Sequence, residues 1–391
     1  MSGRRAIMLA TDTSQRGCDM TLQQLRVQPG EILVLVGTTK GAFLFRTDPE
    51  RRERQVSGPH MPGQQVYALA WDDRGGRGRV LAGAESWHWG PQVYRSDDLG
   101  ATWSDPVKGS IRFPEEANAA VKRVWQLVPA GPEQPDVVYA GVDPAALFRS
   151  KDGGESFELL PGLWEHPHRS KWEPGGGGLC LHTIVLDPDD PERIWVAISA
   201  AGVYHSADGG TSWRTRHQGV RAQFRPDPYP EFGQCVHKIA PAGGRPDRMY
   251  LQNHWGLYRS DDAGGQWVDI ANGVPSDFGF PLVAHPSDPD TAWVIPLTSD
   301  EFRCTAEGKA RVYRTRDAGA SWQPLTAGLP QRDAYLTVLR DGFATDGGEP
   351  AGLYFGTRTG ELFASADEGD SWELLAGWLP PVLCVKAVVV R

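Results

Sequence analysis

The sequence predicts an all-β fold: a seven-bladed β-propeller of four-stranded antiparallel blades. Three observations predict it. An eight-residue frame, Ser/Thr-x-Asp-x-Gly-x-Ser/Thr-Trp, recurs at Ser96–Trp103, Ser206–Trp213, Thr315–Trp322 and Ser365–Trp372; Ser260–Trp267 carries it with Gln266 at the seventh position and Ser150–Phe157 with a terminal Phe. The Asp residues of the frame, Asp98, Asp152, Asp208, Asp262, Asp317 and Asp367, are 54, 56, 54, 55 and 50 residues apart. That period holds four short strands and falls among propeller repeats. Finally, the first unit lacks an innermost strand while the chain ends on the apolar run Val382–Val390. If that run joins the first unit, the ring closes and no sheet edge is left open.

Taken in order, residues 1–28 are polar and irregular and read as a flexible arm ahead of a single propeller domain, 29–391. The first unit is degenerate. Ile32–Val36 and Ala42–Arg46 are strands, and Thr47-Asp48-Pro49 stands where the frame should be, without a working brace. Each later unit begins with an inner strand: Val66–Trp71, Val124–Val128, Leu181–Leu186, Val236–Ala240, Pro281–Ala284 and Tyr335–Leu339. A polar turn and an apolar second strand follow, such as Ile194–Ile198. A third strand of β-branched and aromatic composition, such as Val203-Tyr204-His205, leads into the frame. In the frame, Asp accepts from turn amides, Gly supplies positive φ, and Trp returns on the fourth strand to fill the space between sheets. These Asp residues are therefore structural, despite their number.

The frame resembles the Asp-box, or BNR repeat, of the sialidase-like and sortilin-like β-propeller superfamily. The chain is similar to uncharacterised bacterial BNR-repeat proteins of glycosyl-hydrolase-like type. The resemblance implies the propeller fold; such propellers include glycosidases, sorting receptors and assembly factors. A sialidase of this type would carry Phe/Tyr-Arg-Ile-Pro ahead of the first box. Here the order is scrambled to Ile111-Arg112-Phe113-Pro114, after the first full box. Sialidase residues are not carried over, and sialidase activity is not expected.

Bulk composition narrows the partners. Net charge is −9 with no long basic run, against nucleic acid or an anionic membrane. No apolar segment reaches the roughly 18–20 residues that span a bilayer. Five cysteines, an odd number without a CxxC pair, do not make a disulfide framework and point to a reducing, cytoplasmic location.

The frame turns occupy one face of the ring, and the irregular segments fall on the other. Seven of the 10 histidines belong there: His88, His166, His168, His182, His217, His237 and His254. Two inner strands share Cys-x-His-x-Ile, at Cys180–Ile184 and Cys235–Ile239. His182, His237 and His254 could line a divalent-metal site, or the imidazoles could bond backbone carbonyls between blades; the cysteines read as buried fillers. No cofactor is required. Glu173 and Glu231 are the candidate catalytic carboxylates, since a glycosidase needs two flanking one bond. Trp87, His88, Trp172, His182, His237, His254 and Arg358 are candidate ligand contacts. The leading expectation is a pocket at the channel mouth that binds, and could hydrolyse, a carbohydrate-like ligand. A metal-dependent enzyme and a non-catalytic platform for a protein partner are the alternatives.

Overall fold

A computed structural model of the protein describes residues 24–76, 78–105 and 109–391. Seven antiparallel sheets form a ring of blades. Blade 1 has the order Val382–Val389, Ile32–Thr38, Gly41–Thr47, Arg54–His60, so the C-terminal strand is the inner strand of the N-terminal blade. Blades 3 to 7 are consecutive four-stranded meanders. Blade 2 (65–96) has three strands among the described residues; Ser104 stands in for the fourth, donating its N–H to Arg95 O at 2.8 Å. No helix of the described residues is long and apolar enough to cross a membrane.

The core is divided among the seams between blades. Seven apolar clusters each join one blade to the next, and the seventh joins blade 7 to blade 1 through Ile32, Val34, Tyr354 and Val385. The aromatic residue ending each octapeptide packs in the seam with the preceding blade. Trp213 lies against blade 3, and Trp267 against blade 4, where its indole N–H reaches Arg216 O at 3.0 Å. Burial of these rings is what couples one sheet to the next.

The octapeptide turns share one bonding pattern, except that Gln266 gives the Asp262 turn its N–H but no hydroxyl. Asp208 Oδ1 accepts from Ser206 Oγ (2.7 Å) and from the Ser212 N–H (2.8 Å), and Oδ2 accepts from Ser212 Oγ (2.6 Å). Ser206 Oγ accepts in turn from the Gly210 N–H at 2.8 Å. Gly210 has φ 91° and the residue before it, Gly209, φ 66°. The turn thus needs two successive left-handed residues, a feature the sequence pattern does not display, since Leu99, Ala263, Ala318 and Glu368 hold the first of these positions elsewhere.

Three expectations are modified. Asp48 does brace its turn, with Oδ1 accepting from the Arg52 and Glu53 N–H groups at 2.6 and 2.7 Å. Blade 7's inner strand is Phe343–Thr345, not Tyr335–Leu339. The stretch before it is irregular and ends in a turn closed by Gly342 N–H to Leu339 O at 2.9 Å. Residues 1–23, with Cys18, lie outside the described residues, but Leu25, within the expected arm, is 2% exposed and packs in the blade 1–2 seam. The four described cysteines are free.

Candidate functional site

Inner strands position the site through a shared irregularity. In five of them the ladder skips a residue near the start: Leu383, Tyr67, Trp125, His182 and His237 lie opposite register shifts. Blade 6 has a shift between Gly279 and Leu282, spanning Phe280. A bulge turns its extra residue out of the alternation of the strand. In blade 7 the Leu339–Gly342 turn takes the place of the bulge and delivers Arg340 and Asp341.

These residues line a cavity of about 400 Å³. Tyr67, Trp125, His237, Phe280, Arg340 and Leu383 come from the inner-strand starts, and all the skipped residues but His182 contribute. The rest of the wall comes from segments entering blades (Glu173–Gly177, Phe224, Arg225) and from turns between second and third strands (Ser199, Ala200, His254, Arg303). This is the face opposite the octapeptide turns.

Three arginines, Arg225, Arg303 and Arg340, stand in a lining that is otherwise largely apolar. Arg225 Nη2 pairs with Glu173 Oε2 at 3.0 Å. Arg340 lies 5.3 Å from the Trp125 ring centroid and 5.7 Å from that of Phe280, and Arg303 lies 5.5 Å from Phe280. Among the described residues neither Arg303 nor Arg340 has an ion pair, and Arg340 Nε is buried without a hydrogen-bond partner. Deeper in the channel, Lys238 Nζ meets Asp341 Oδ1 at 2.6 Å, with Lys386 Nζ at 3.6 Å. Burial alone would raise the Asp341 carboxyl, but Lys238, then Lys386 and Arg340, outweigh it and hold it below the usual carboxylate range. Burial lowers the Lys238 ammonium, against the pull of Asp341.

One wall carries Cys235, His237 and His254. Burial, then the charge of Arg340, holds the His237 imidazole well below its ordinary value, so it is neutral at pH 7. Burial also lowers His254, in part offset by Asp300.

The structure separates the residues expected at the site. Glu173, His237 and His254 line the cavity. Glu231 does not; it is 73% exposed at its side chain and faces His168 Nε2 at 3.5 Å. Glu173 and Glu231 therefore do not form a pair across this cavity. His182 is fully buried, with Nε2 2.9 Å from Val236 O and Nδ1 3.0 Å from Thr183 Oγ1. Both its nitrogens are engaged by the protein, so the expected metal set loses His182, and Cys235, read as a filler, takes its place beside His237 and His254. Trp172 is buried, its indole N–H bonded to Tyr204 Oη at 2.9 Å. Trp87 and His88 stand exposed on the tip of a blade 2 hairpin, away from the lining. Arg358, also outside the lining, donates its backbone N–H to Thr337 O at 2.9 Å.

Sequence reasoning missed Tyr67, Trp125, Phe280, Arg303 and Arg340. For the first two a signal existed. Aligned on the repeat, Val66-Tyr67, Val124-Trp125, Leu181-His182, Val236-His237 and Val382-Leu383 form one column of large side chains after an apolar residue.

No family model matches the chain. It is 28% identical over 202 residues to a probable oligoxyloglucan-reducing end-specific xyloglucanase of Neosartorya fischeri, covering 49% of this chain and 20% of that protein. It is 23% identical over 299 residues to a xyloglucanase of Hypocrea jecorina, covering 70% of this chain and 32% of that one. The chain thus spans about a fifth to a third of the length of these relatives. Among solved structures it is similar to a GH74 enzyme of Niastella koreensis, with TM-score 0.53 and 17% identity over 88% of this chain and 46% of that one. It is also similar to YCF48 bound to a D1 peptide, with TM-score 0.53 and 13% identity over 91% and 88% of the two chains. At these identities the likeness to solved structures is one of fold.

Proposed function

We propose that the protein binds a carbohydrate-class ligand carrying a negative charge in the cavity at the channel mouth. The observation that carries this reading is the pair Arg303 and Arg340. Both guanidinium groups line a partly enclosed cavity without a carboxylate partner among the described residues. Arg340 Nε, buried without a hydrogen-bond partner, is in a costly state that a ligand carboxylate or sulfate would relieve with a charge-assisted bond. Arg303 is exposed at the rim, its Nε donating to Asp300 O at 2.9 Å, and keeps its remaining N–H groups for the same ligand. Tyr67, Trp125 and Phe224 supply apolar faces of the kind that pack on sugar rings. The volume suits a small ligand of one or two rings. The carbohydrate class is further supported by the xyloglucanase relatives.

Recognition has more support than hydrolysis. A glycosidase needs one carboxyl kept neutral as the acid and another ionised beside it. The cavity's carboxylates, Glu173 and Asp341, are each ion-paired, and Asp341 is pushed toward the ionised form. Asp143, whose carboxyl is raised by burial, lies outside the lining.

Calorimetric titration with oligomers of galacturonic and glucuronic acid, against neutral xyloglucan fragments, tests the reading. The acidic oligomers are expected to bind, and Arg340→Ala to weaken them about 10- to 100-fold, the value of one charge-assisted bond. Equal binding of neutral fragments, or indifference to Arg340→Ala, would overturn it. Turnover of any glycoside that Glu173→Gln abolishes would add hydrolysis to recognition.

A further inference from the structure

Cys235, His237 and His254 bring one potential ligand atom each within 4.8 Å of the other two. Cys235 Sγ is 3.7 Å from His237 Nε2. A tetrahedral zinc ion with Zn–S of about 2.3 Å and Zn–N of about 2.0 Å sets sulfur and nitrogen roughly 3.5 Å apart. The observed separation, that of a thiol donating to Nε2 when no ion is bound, lies within about 0.2 Å of this spacing.

The far side of each ring fixes which nitrogen is free. His237 Nδ1 lies 2.6 Å from Gly279 O. A carbonyl only accepts, so Nδ1 carries the proton and Nε2 keeps its lone pair on the Cys235 side. His254 Nε2 lies 3.2 Å from Asp300 Oδ2. A carboxylate likewise accepts, which puts the proton on Nε2 and leaves the lone pair on Nδ1. Histidines that bind metals are characteristically held by a carbonyl or carboxylate behind them. The rings are also clamped by aromatic neighbours, His237 against Phe280 (4.7 Å between centroids) and His254 against Trp255 (4.2 Å) and Phe278 (5.1 Å).

We propose that Cys235, His237 and His254 bind one zinc ion, with Gly279 O and Asp300 as the groups that orient the imidazoles. One thiolate with two imidazoles suits a borderline transition ion and not magnesium or calcium, which take oxygen ligands. Binding releases the Cys235 thiol proton to solvent. Three protein ligands leave a fourth position on the cavity side for water or a ligand oxygen. The site stands on its own geometry and does not depend on the charge of the ligand proposed above.

The full chain, stripped with a chelator, is titrated with zinc by calorimetry and with cobalt(II) by absorption. The expected result is one equivalent of either ion, with a thiolate-to-cobalt charge-transfer band and intense tetrahedral bands in the visible. Cys235→Ser should abolish the charge-transfer band. Asp300 is exposed, so Asp300→Asn should keep the circular dichroism spectrum of the parent and weaken zinc about 10- to 100-fold. Absence of stoichiometric uptake, persistence of the band in Cys235→Ser, or unchanged zinc affinity in Asp300→Asn would each overturn the proposal.

Discussion

Blades 4 and 5 carry the same five-residue pattern and use it differently. In Cys180–Ile184 and Cys235–Ile239 the histidine lies in a bulge and bonds a carbonyl of the next blade's inner strand region. His182 does so through Nε2, at Val236 O, and Thr183 Oγ1 meets its Nδ1. His237 does so through Nδ1, at Gly279 O, which frees Nε2. The residue after each histidine completes the contrast. Thr183 closes the first site, whereas Lys238 turns to Asp341 and leaves the second open. Cys180 is fully buried, its thiol pushed up to about 11 by burial, while Cys235 is half-buried beside His237. One copy of the repeat became a seam lock and the other a wall of the cavity. The lesson is that a repeated motif has no single role; the nitrogen consumed by the fold decides what remains for chemistry.

The largest expected effect comes from breaking the lock. His182→Ala removes an interblade bond and opens a void in a fully buried seam, and should cost about 2–4 kcal/mol of stability by urea unfolding. His237→Ala borders an existing cavity and should cost less, about 1–2 kcal/mol. Equal losses would erase the distinction between the blades.

Next in size is the response of another buried histidine to acid. His217 is buried with Nδ1 3.0 Å from the Val203 N–H and Nε2 2.9 Å from Glu231 O. Burial, partly opposed by those bonds, lowers it to about 4. The unfolded value is about 6.5. The unfolded chain therefore binds more protons between these values, and stability falls as pH drops from about 6.5 to 4, by up to roughly 3 kcal/mol for this group. His217→Gln should flatten that slope in a pH series of unfolding midpoints; an unchanged slope would show that His217 is not held neutral.

The octapeptide face gives a smaller effect. Asp208→Ala removes three bonds from one turn and should cost about 1–2 kcal/mol, by analogy with loss of a helix cap, without altering zinc or ligand binding. Ser212 Oγ, then the Ser212 N–H and Ser206 Oγ, lower Asp208 to about 2, so its stabilisation is present above about pH 4 and is lost toward pH 2. A binding defect in Asp208→Ala would mean the two faces are not separable. Smallest of all, Cys235→Ser should leave the melting temperature of metal-free protein within about 1 °C, since serine nearly matches the half-buried thiol in size and can keep its hydrogen bond to His237 Nε2.

The ring, its seven units and its closure were legible because each depends on a local pattern repeated along the chain: apolar strands, a turn with Asp and Gly, and a seam-filling Trp. His237, His254 and Glu173 were legible as departures from that pattern. Arg340 was not, because placing the blade 7 inner strand at Tyr335–Leu339 turned Arg340 and Asp341 into an ordinary turn. Nor could composition separate His182 from His237. Their sequences match at Cys, His and Ile, and the difference lies in ring orientation and in Asp300, 46 residues beyond His254. Arg303 and Asp300 belong to one irregular turn whose course no local rule sets.

Thermal unfolding of two variants with and without zinc tests the divergence of the two motifs most directly. His182→Gln can keep a donor at the Nε2 position, and His237→Asn can keep a donor toward Gly279 O while deleting Nε2. Zinc at about 100 times its dissociation constant should raise the wild-type melting temperature by roughly 3 °C. His182→Gln should show the same rise from a lower starting point, and His237→Asn should show none. A zinc response kept by His237→Asn, or lost by His182→Gln, would contradict the account.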